Sequence, residues 1–180
     1  GEGEESFASL CSCLAENKDI SAVKGLSQPL NKPCMAISTL EAIAKPLENS
    51  GVYAVSVMDA RCNQVYTAQF DCENGFERVT NDDAISIEVL SESLKNVKKR
   101  IVLIGDGASI CFEKMKDIIP GISIAPVNIR YQSASSVALI AYDKYSTECE
   151  ASFLDSHSLL PNYLRLSQAE RELKKKQEQN

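Results

Sequence analysis

The chain has one histidine, no C-x₂-C pair of cysteines and no excess of basic residues. His157 is the single histidine among 180 residues, so the paired-histidine metal site of a peptidase cannot be built. Of the seven cysteines, Cys11 and Cys13 stand too close together for a zinc knuckle, and no second pair follows. We therefore expect free, mostly buried thiols and no metal site.

The sequence also has no apolar run of the roughly 20 residues that a membrane-spanning helix needs. Its first five residues include Glu2, Glu4 and Glu5, an acidic start that argues against a secretory signal peptide. A hydrophobic content of 44% is sufficient for a packed core. We expect a cytoplasmic protein that does not bind a membrane.

The net charge of the chain is −6. An acidic protein does not benefit from the counterion release that drives nucleic-acid binding. The basic stretch at 171–176 is interleaved with glutamates, which favours a solvated helix face. If the protein serves RNA chemistry, we expect no direct RNA contact, and another subunit holds the RNA.

From residue 51 onward the hydrophobic pattern predicts three antiparallel strands followed by alternating helices and strands. The strongest turn signal is Asn74-Gly75. The predicted strands are 52–58, 64–70, 76–79, 101–104 and 122–124, and the predicted helices are 86–96, 108–118 and 133–145. This order predicts an α/β fold with a mixed sheet flanked by helices. It is similar to the ribonuclease-H-like unit that actin-like ATPases carry in duplicate.

Ahead of that unit the pattern predicts a helix at 20–30, a short strand at 34–37 and a helix at 38–47. Ser38 and Glu41 form a capping-box pattern at the start of the last helix. This segment is similar to the end of a first ribonuclease-H-like copy whose opening meander is missing. We therefore predict an incomplete actin-like half at 1–48, a ribonuclease-H-like half at 49–166 and a charged helical tail at 167–180. Because an unpaired sheet edge and apolar surface favour association, we expect a homo-oligomer.

Two turns are candidate nucleotide-facing sites. Asp59 and Arg61 stand where the superfamily places a phosphate loop, and could touch a phosphate or magnesium. Since no glycine lies between residues 59 and 66, we favour a structural, ion-paired turn. The second turn, 105–109, follows a strand and opens a helix, which suits a nucleotide contact through Gly105, Asp106 and Gly107.

The alternative for this second turn is a tight strand-to-helix connection with Asp106 or Ser109 as the helix cap. Neither reading is preferred on sequence alone. His157 is a conceivable catalytic base, but no G-x-S-x-G nucleophile motif is present, so we interpret it as a surface residue.

Four segments resemble the bacterial TsaB family, the YeaZ-type tRNA threonylcarbamoyladenosine biosynthesis proteins. They are SAVKGL from Ser21, STLEAIA from Ser38, DARCNQVY from Asp59 and PNYLRLSQAERELKKK from Pro161. Cys62 and Asn63 replace a basic residue and a glycine of the family's hairpin. The family's opening DTS turn has no counterpart in this sequence, and residues 1–7 resemble its glycine-rich loop only weakly.

The resemblance implies a non-catalytic subunit that binds a TsaD-like catalytic paralogue and works with a TsaE-like ATPase. It implies a helix-lined partner surface within 20–47 and no cofactor of its own, with ATP or ADP and magnesium held only at the partner interface. The alternative is an enzyme with weak nucleotide-hydrolysing or glycoprotease-like activity. For the segment 161–165, docking on its own domain is preferred to contact with a partner.

Overall fold

The computed structural model describes residues 17–147, 153–155, 157–160 and 164. Within these residues the structure has six strands and five α-helices. The strands are β1 Tyr53–Asp59, β2 Gln64–Asp71, β3 Glu77–Arg78, β4 Asp83–Ser86, β5 Ile101–Ile104 and β6 Ser123–Ile124. The helices are α1 Asn17–Ser27, α2 Thr39–Ala44, α3 Ile87–Leu94, α4 Ala108–Met115 and α5 Ala134–Thr147, with a 3₁₀ turn at Lys45–Leu47.

One mixed sheet runs in the order β3-β2-β1-β5-β6, and β4 also pairs with β2. β1 and β2 form the antiparallel hairpin, in register from Tyr53↔Asp71 to Asp59↔Val65. β1 and β5 are parallel, beginning at Tyr53↔Ile101. The predicted mixed sheet with flanking helices, in the ribonuclease-H-like strand order, is therefore confirmed.

Helices cover both faces of the sheet, which explains why the central strands are apolar on both sides. Val55, Val57 and Leu103 pack beneath α3 and α4 in one cluster. Phe70 and Ile104 pack with α2 in another cluster on the opposite face. Helix α5 packs on α2, where Val137 and Ile140 contact Ala42.

The third strand of the meander was predicted as a single segment at 76–79, and this is wrong. The structure divides it into β3, which pairs with Phe70 and Asp71, and β4, which pairs with residues 64–67. Between them Arg78 donates to the Thr80 carbonyl and the Asp82 carboxylate. These bonds hold the intervening residues in a turn. Strand β4 was missed because its Asp-Asp start is typical of a turn.

The predicted strand at 34–37 is also not a strand. Among the described residues its one ladder contact is an isolated antiparallel bridge between Cys34 and Leu154. The preceding helix ends at Ser27 rather than at residue 30. Val23 on this helix is buried, but Leu26 and Leu30 are each 60% exposed.

Helix α2 begins as the sequence predicts, because the Ser38 hydroxyl accepts from the Glu41 amide. In a full capping box the Glu41 side chain would also accept from the Ser38 amide. Instead, the Glu41 carboxylate binds Arg78 and Lys144, so tertiary contacts replace that second bond.

Of the described cysteines, three are buried and Cys62 is exposed. Burial raises the pKa of Cys72 to about 11.

The helices of the described ranges all fall short of the length and hydrophobicity of a membrane span. The predicted tail at 167–180, the glycine-containing stretch at 1–7 and all of 161–165 except Leu164 lie outside the described residues.

Candidate functional site

The two candidate turns meet at one edge of the sheet. Because β1 and β5 are parallel neighbours, the turns that follow them emerge side by side. The Gly107 amide donates to the Val57 carbonyl at 3.1 Å. The Asp59 amide donates to the Asp106 carboxylate at 3.2 Å. The structure thus brings Asp59, Gly105, Asp106 and Gly107 together at this edge.

The turn after β1 is closed by backbone contacts. The Asp59 carboxylate accepts from the Arg61 amide at 2.7 Å, an Asx turn in which the acid bonds the chain two residues on. The predicted ion pair is not what closes it, since the Asp59 partner is the Arg61 backbone. Arg61 and Cys62 have exposed side chains and left-handed φ angles of 60° and 51°.

Asn63 anchors this turn to the two helices beside it, a role the sequence analysis did not assign. Its carbonyl accepts from the Ile87 amide at 3.2 Å, and its side-chain amide donates to Glu88 at 2.6 Å. Lys114 of α4 donates to its side-chain oxygen. The hydrogen bond from Asn63 lowers the pKa of Glu88 below its ordinary value.

The conformation of Asn63 explains its departure from the family pattern. Its φ is 62°, in the left-handed region that glycine adopts freely and asparagine tolerates better than most residues. The replacement of the family's glycine was therefore the sequence signal that could have identified this position.

The glycines after β5 are required by the close approach of β1. Gly105 has φ 117°, and a Cβ there would lie 2.1 Å from the Val57 carbonyl oxygen. A Cβ at Gly107 would lie 3.1 Å from the Asp59 amide nitrogen. Strand packing alone accounts for both glycines, without a ligand.

The expectation that Asp106 or Ser109 caps the helix after this turn is wrong. Gly107 occupies the cap position of α4, and no side chain bonds there. Asp106 instead accepts from the Asp59 amide, so its carboxylate ties the two turns to each other.

This edge presents two exposed carboxylates, Asp59 and Asp106, and the exposed Arg61. Carboxylate oxygens are ligands that magnesium accepts, and a guanidinium suits a phosphate. The amides of Asp59 and Gly107 already donate to protein oxygens, so an incoming anion would have to displace them. Within the described residues no group of three or more potential metal ligands occurs.

A second polar cluster lies around Arg78 and joins three segments. Arg78 binds Asp82 at 2.6 Å and Glu41 at 3.0 Å, and its guanidinium carbon lies 4.8 Å from the Phe70 ring centroid. Lys144 of α5 reaches Glu41 at 3.4 Å. Burial disfavours the charged Arg78, but the bonds to Asp82 and Glu41 outweigh it and raise its pKa. Because this cation is committed to carboxylates, the cluster is a structural tether.

Lys45 extends the tether toward α5. Its side chain is 8% exposed and binds Asp143 at 2.9 Å and Glu48 at 3.0 Å. Its nitrogen also lies 5.2 Å from the centre of the Phe76 ring. Burial lowers the pKa of Lys45, but the two carboxylates outweigh this effect and raise it.

The chain is similar to proteins of two bacteria. The tRNA threonylcarbamoyladenosine biosynthesis protein TsaB of Bacillus subtilis is 27% identical over 153 residues, which cover 84% of this chain and 64% of the relative. YeaZ from Pseudomonas aeruginosa has a TM-score of 0.61 at 17% identity, over 80% of this chain and 66% of that one. An uncharacterised Pseudomonas aeruginosa protein similar to the peptidase YeaZ has a TM-score of 0.64 at 18% identity, over 81% and 65%.

The chain is similar to TsaB/YeaZ-type proteins. It spans about two thirds of the length of these relatives, 64% to 66%. No family model matches the chain. The hairpin that resembles the TsaB family is the β1–β2 connection, and the STLEAIA segment forms the N-cap and the whole of α2.

His157 is not one of the residues that the two turns bring together. It is exposed and lines a shallow groove of about 330 Å³ with Lys32, Phe153 and Asp155 among others. Hydrogen bonds from Ser158 lower the pKa of Asp155, so this carboxylate caps its own turn. The surface position predicted for His157 is confirmed.

Proposed function

We propose that the chain is a non-catalytic subunit of the cytoplasmic complex that adds threonylcarbamoyl to tRNA adenosine next to the anticodon. The observation that carries this proposal is the 27% identity to the Bacillus subtilis TsaB over 84% of the chain. The subunit binds a TsaD-like catalytic paralogue, and a TsaE-like ATPase completes the complex. It supplies a surface that holds the paralogue in its active conformation.

The bonding at the sheet edge supports a role without chemistry. The Asp106 carboxylate is held by the Asp59 amide, and the Asp59 carboxylate by the Arg61 amide. A catalytic acid or base needs a proton-transfer partner in the substrate rather than the chain's own backbone. ATP or ADP with magnesium would then be held at the interface with the paralogue.

The charge distribution supports tRNA binding by another subunit. The net charge is −6, and cations such as Lys99 and Lys116 are paired with carboxylates. Phosphate contacts require uncommitted Lys or Arg side chains on a basic surface.

We place the partner surface on one side of α1. Ser21 and Gly25 are exposed and share a helix face, because they are spaced four residues apart. Nothing lies within 4 Å of a Cβ built on Gly25, so a partner helix can approach closely there. Typical helix packing distances of about 8–10 Å suit such small residues.

Co-purification with the host's TsaD-like protein tests this proposal. The wild-type chain should retain the partner. Gly25→Trp adds a bulky side chain where nothing lies within 4 Å of a Cβ, and it should weaken retention at least tenfold. Ser135→Trp, on the exposed side of α5, is the matched control and should bind normally. Retention unaffected by Gly25→Trp would contradict the α1 surface, and no retention by wild type would contradict the function.

The second candidate is a nucleotide-hydrolysing or glycoprotease-like enzyme. It is favoured by one observation, the meeting of Asp59, Asp106 and the 105–107 turn at the carboxyl ends of two parallel strands. Open α/β sheets bind ligands at such edges. Calorimetry with ATP and magnesium tests it: no heat at millimolar ligand removes this reading, and heat lost in Asp59→Asn would support it.

We also propose that the isolated chain self-associates through its exposed apolar surface. Leu139 and Val127 are 55% and 67% exposed, and such groups are drawn together in water. A monomeric mass by light scattering at high concentration would contradict this.

A further inference from the structure

Helix α5 contains two charged residues, Asp143 and Lys144, which are neighbours in the chain. Asp143 binds Lys45 at 2.9 Å, and Lys144 reaches Glu41 at 3.4 Å. Glu41 lies in α2 and Lys45 directly follows that helix, and a spacing of four residues places both on one side of it. Both charges of α5 are therefore paired with opposite charges on the element that it packs against.

Two aromatic rings connect these ion pairs. The centre of the Phe76 ring lies 5.2 Å from the Lys45 nitrogen, and Phe76 stacks on Phe70 with ring centroids 4.9 Å apart. Phe70 in turn lies 4.8 Å from the guanidinium carbon of Arg78, and Arg78 binds Glu41 at 3.0 Å. Cations over aromatic rings are attracted by the ring quadrupole. The contacts thus form a closed ring that begins and ends on α5.

The apolar contact beneath α5 is small. Val137 and Ile140 are buried with Ala42 in a cluster of their own, and Ile37 packs beside it. The clusters that cover the two faces of the sheet are much larger. Segments with few buried apolar contacts open at a lower free energy than the core. The packing therefore makes α5 easier to detach than any central strand, and the ion pairs contribute a large share of what holds it.

We propose that α5 is a strap that opens as one unit while the sheet stays folded, and that its two ion pairs hold it closed. If the two contacts were exchanged, Asp143 would face Glu41 and Lys144 would face Lys45, and like charges repel. The order of the charges therefore fixes where α5 closes. Opening uncovers the α2 face at Ala42, which is 0% exposed in the closed state. This inference does not rest on the proposed function.

Native-state amide hydrogen exchange of the full chain in dilute urea tests the proposal. In the wild type, the α5 amides should exchange together and at least roughly tenfold faster than those of β1 and β5. Asp143→Asn removes one ion pair while Lys45 keeps Glu48. It should speed α5 exchange at least about fivefold, the effect of losing a charged hydrogen bond, and leave β1 and β5 unchanged. Glu92→Gln, which breaks the surface pair with Lys95, is the matched control and should not alter α5 exchange.

Exchanging the two charges of α5 separates their order from the composition of the helix. The double variant Asp143→Lys with Lys144→Asp keeps the net charge but places like charges opposite Lys45 and Glu41. It should speed α5 exchange more than Asp143→Asn does, and retained protection of β1 and β5 would show that the sheet is folded.

Three results would overturn the proposal. Wild-type α5 amides that exchange at the same rate as β1 and β5, or that show no protection, would mean that α5 is not a closed strap. An α5 rate unaffected by the double variant would remove the role of the ion pairs. A rate increase shared equally by α5, β1 and β5 would assign the pairs to global stability instead.

Discussion

Replacement of Gly105 by alanine tests whether strand packing requires this glycine. The new Cβ would lie 2.1 Å from the Val57 carbonyl oxygen, and the backbone φ of 117° is one that alanine rarely adopts. The obstructing atom is backbone in the central strand β1, so it cannot move aside as a flexible side chain would. Either β5 shifts away from β1 or the turn changes conformation.

The cost of Gly105→Ala has two parts. Holding alanine in this φ region costs about 1–3 kcal/mol, and overpacking a close contact costs about 1–3 kcal/mol. Against a total stability of about 5–15 kcal/mol, we expect the free energy of unfolding to fall by roughly 2–6 kcal/mol. At about 2–4 °C per kcal/mol for a chain of this size, Tm should fall by roughly 4–24 °C.

Urea unfolding followed by circular dichroism measures this change. Gly107→Ala is a graded control, because its φ is ordinary and its nearest contact is 3.1 Å, and it should lose less. Gly25→Ala has open space and should be more stable by up to about 1 kcal/mol, as expected in a helix interior. A Gly105→Ala protein within about 0.5 kcal/mol of wild type, the usual range for a neutral surface change, would refute the reasoning.

Three further changes follow from the contacts. Arg78→Gln should lower the free energy of unfolding by about 1–3 kcal/mol, because it removes the guanidinium from two largely buried carboxylates. Glu41 then keeps its contact with Lys144, and Asp82 keeps the hydrogen bond from Ser38. Lys95→Gln, which breaks a surface i,i+3 pair, should change the free energy of unfolding by less than about 0.5 kcal/mol; urea unfolding compares the two variants. Hydrogen bonding from Lys99 lowers the pKa of Asp71. The ionised Asp71 therefore stabilises the fold above the unfolded pKa of about 3.9, and this stabilisation is lost as the pH falls through the lower pKa of the folded state. Lys99→Met should raise the pKa of Asp71, as measured by NMR titration. Cys62 should be alkylated first among the described cysteines, because the other three are buried. Peptide mapping by mass spectrometry after a short pulse of alkylating reagent would contradict this if another described cysteine were modified before Cys62.

The central strands could be predicted because their pattern has one simple cause. Strands β1 and β5 are buried on both faces, so an uninterrupted apolar run marks them. The start of α2 was likewise visible, since Ser38 caps it by a local bond to the amide three residues on. Such features depend on neighbours in sequence.

What could not be predicted depends on residues distant in sequence. Arg78 reaches Glu41 across 37 positions, and the Asp59 amide reaches Asp106 across 47. The segment 34–37 has the composition of a strand, but a strand needs a partner, and among the described residues this segment pairs at one position, Cys34 with Leu154. The sequence pattern predicted the position of the two turns of the candidate site. The structure was needed to show that the Asp59 and Asp106 carboxylates already accept backbone hydrogen bonds.

The most direct test of the proposed function is the threonylcarbamoyladenosine content of tRNA in host cells. After depletion of this protein, liquid chromatography with mass spectrometry should show a loss of the modified nucleoside, and re-expression of the wild-type chain should restore it. The Asp59→Asn variant should restore it equally well, because the account assigns no chemistry to that carboxylate. Unchanged modification after depletion would contradict the role in this pathway, and failure of a stably folded Asp59→Asn protein would contradict its non-catalytic character.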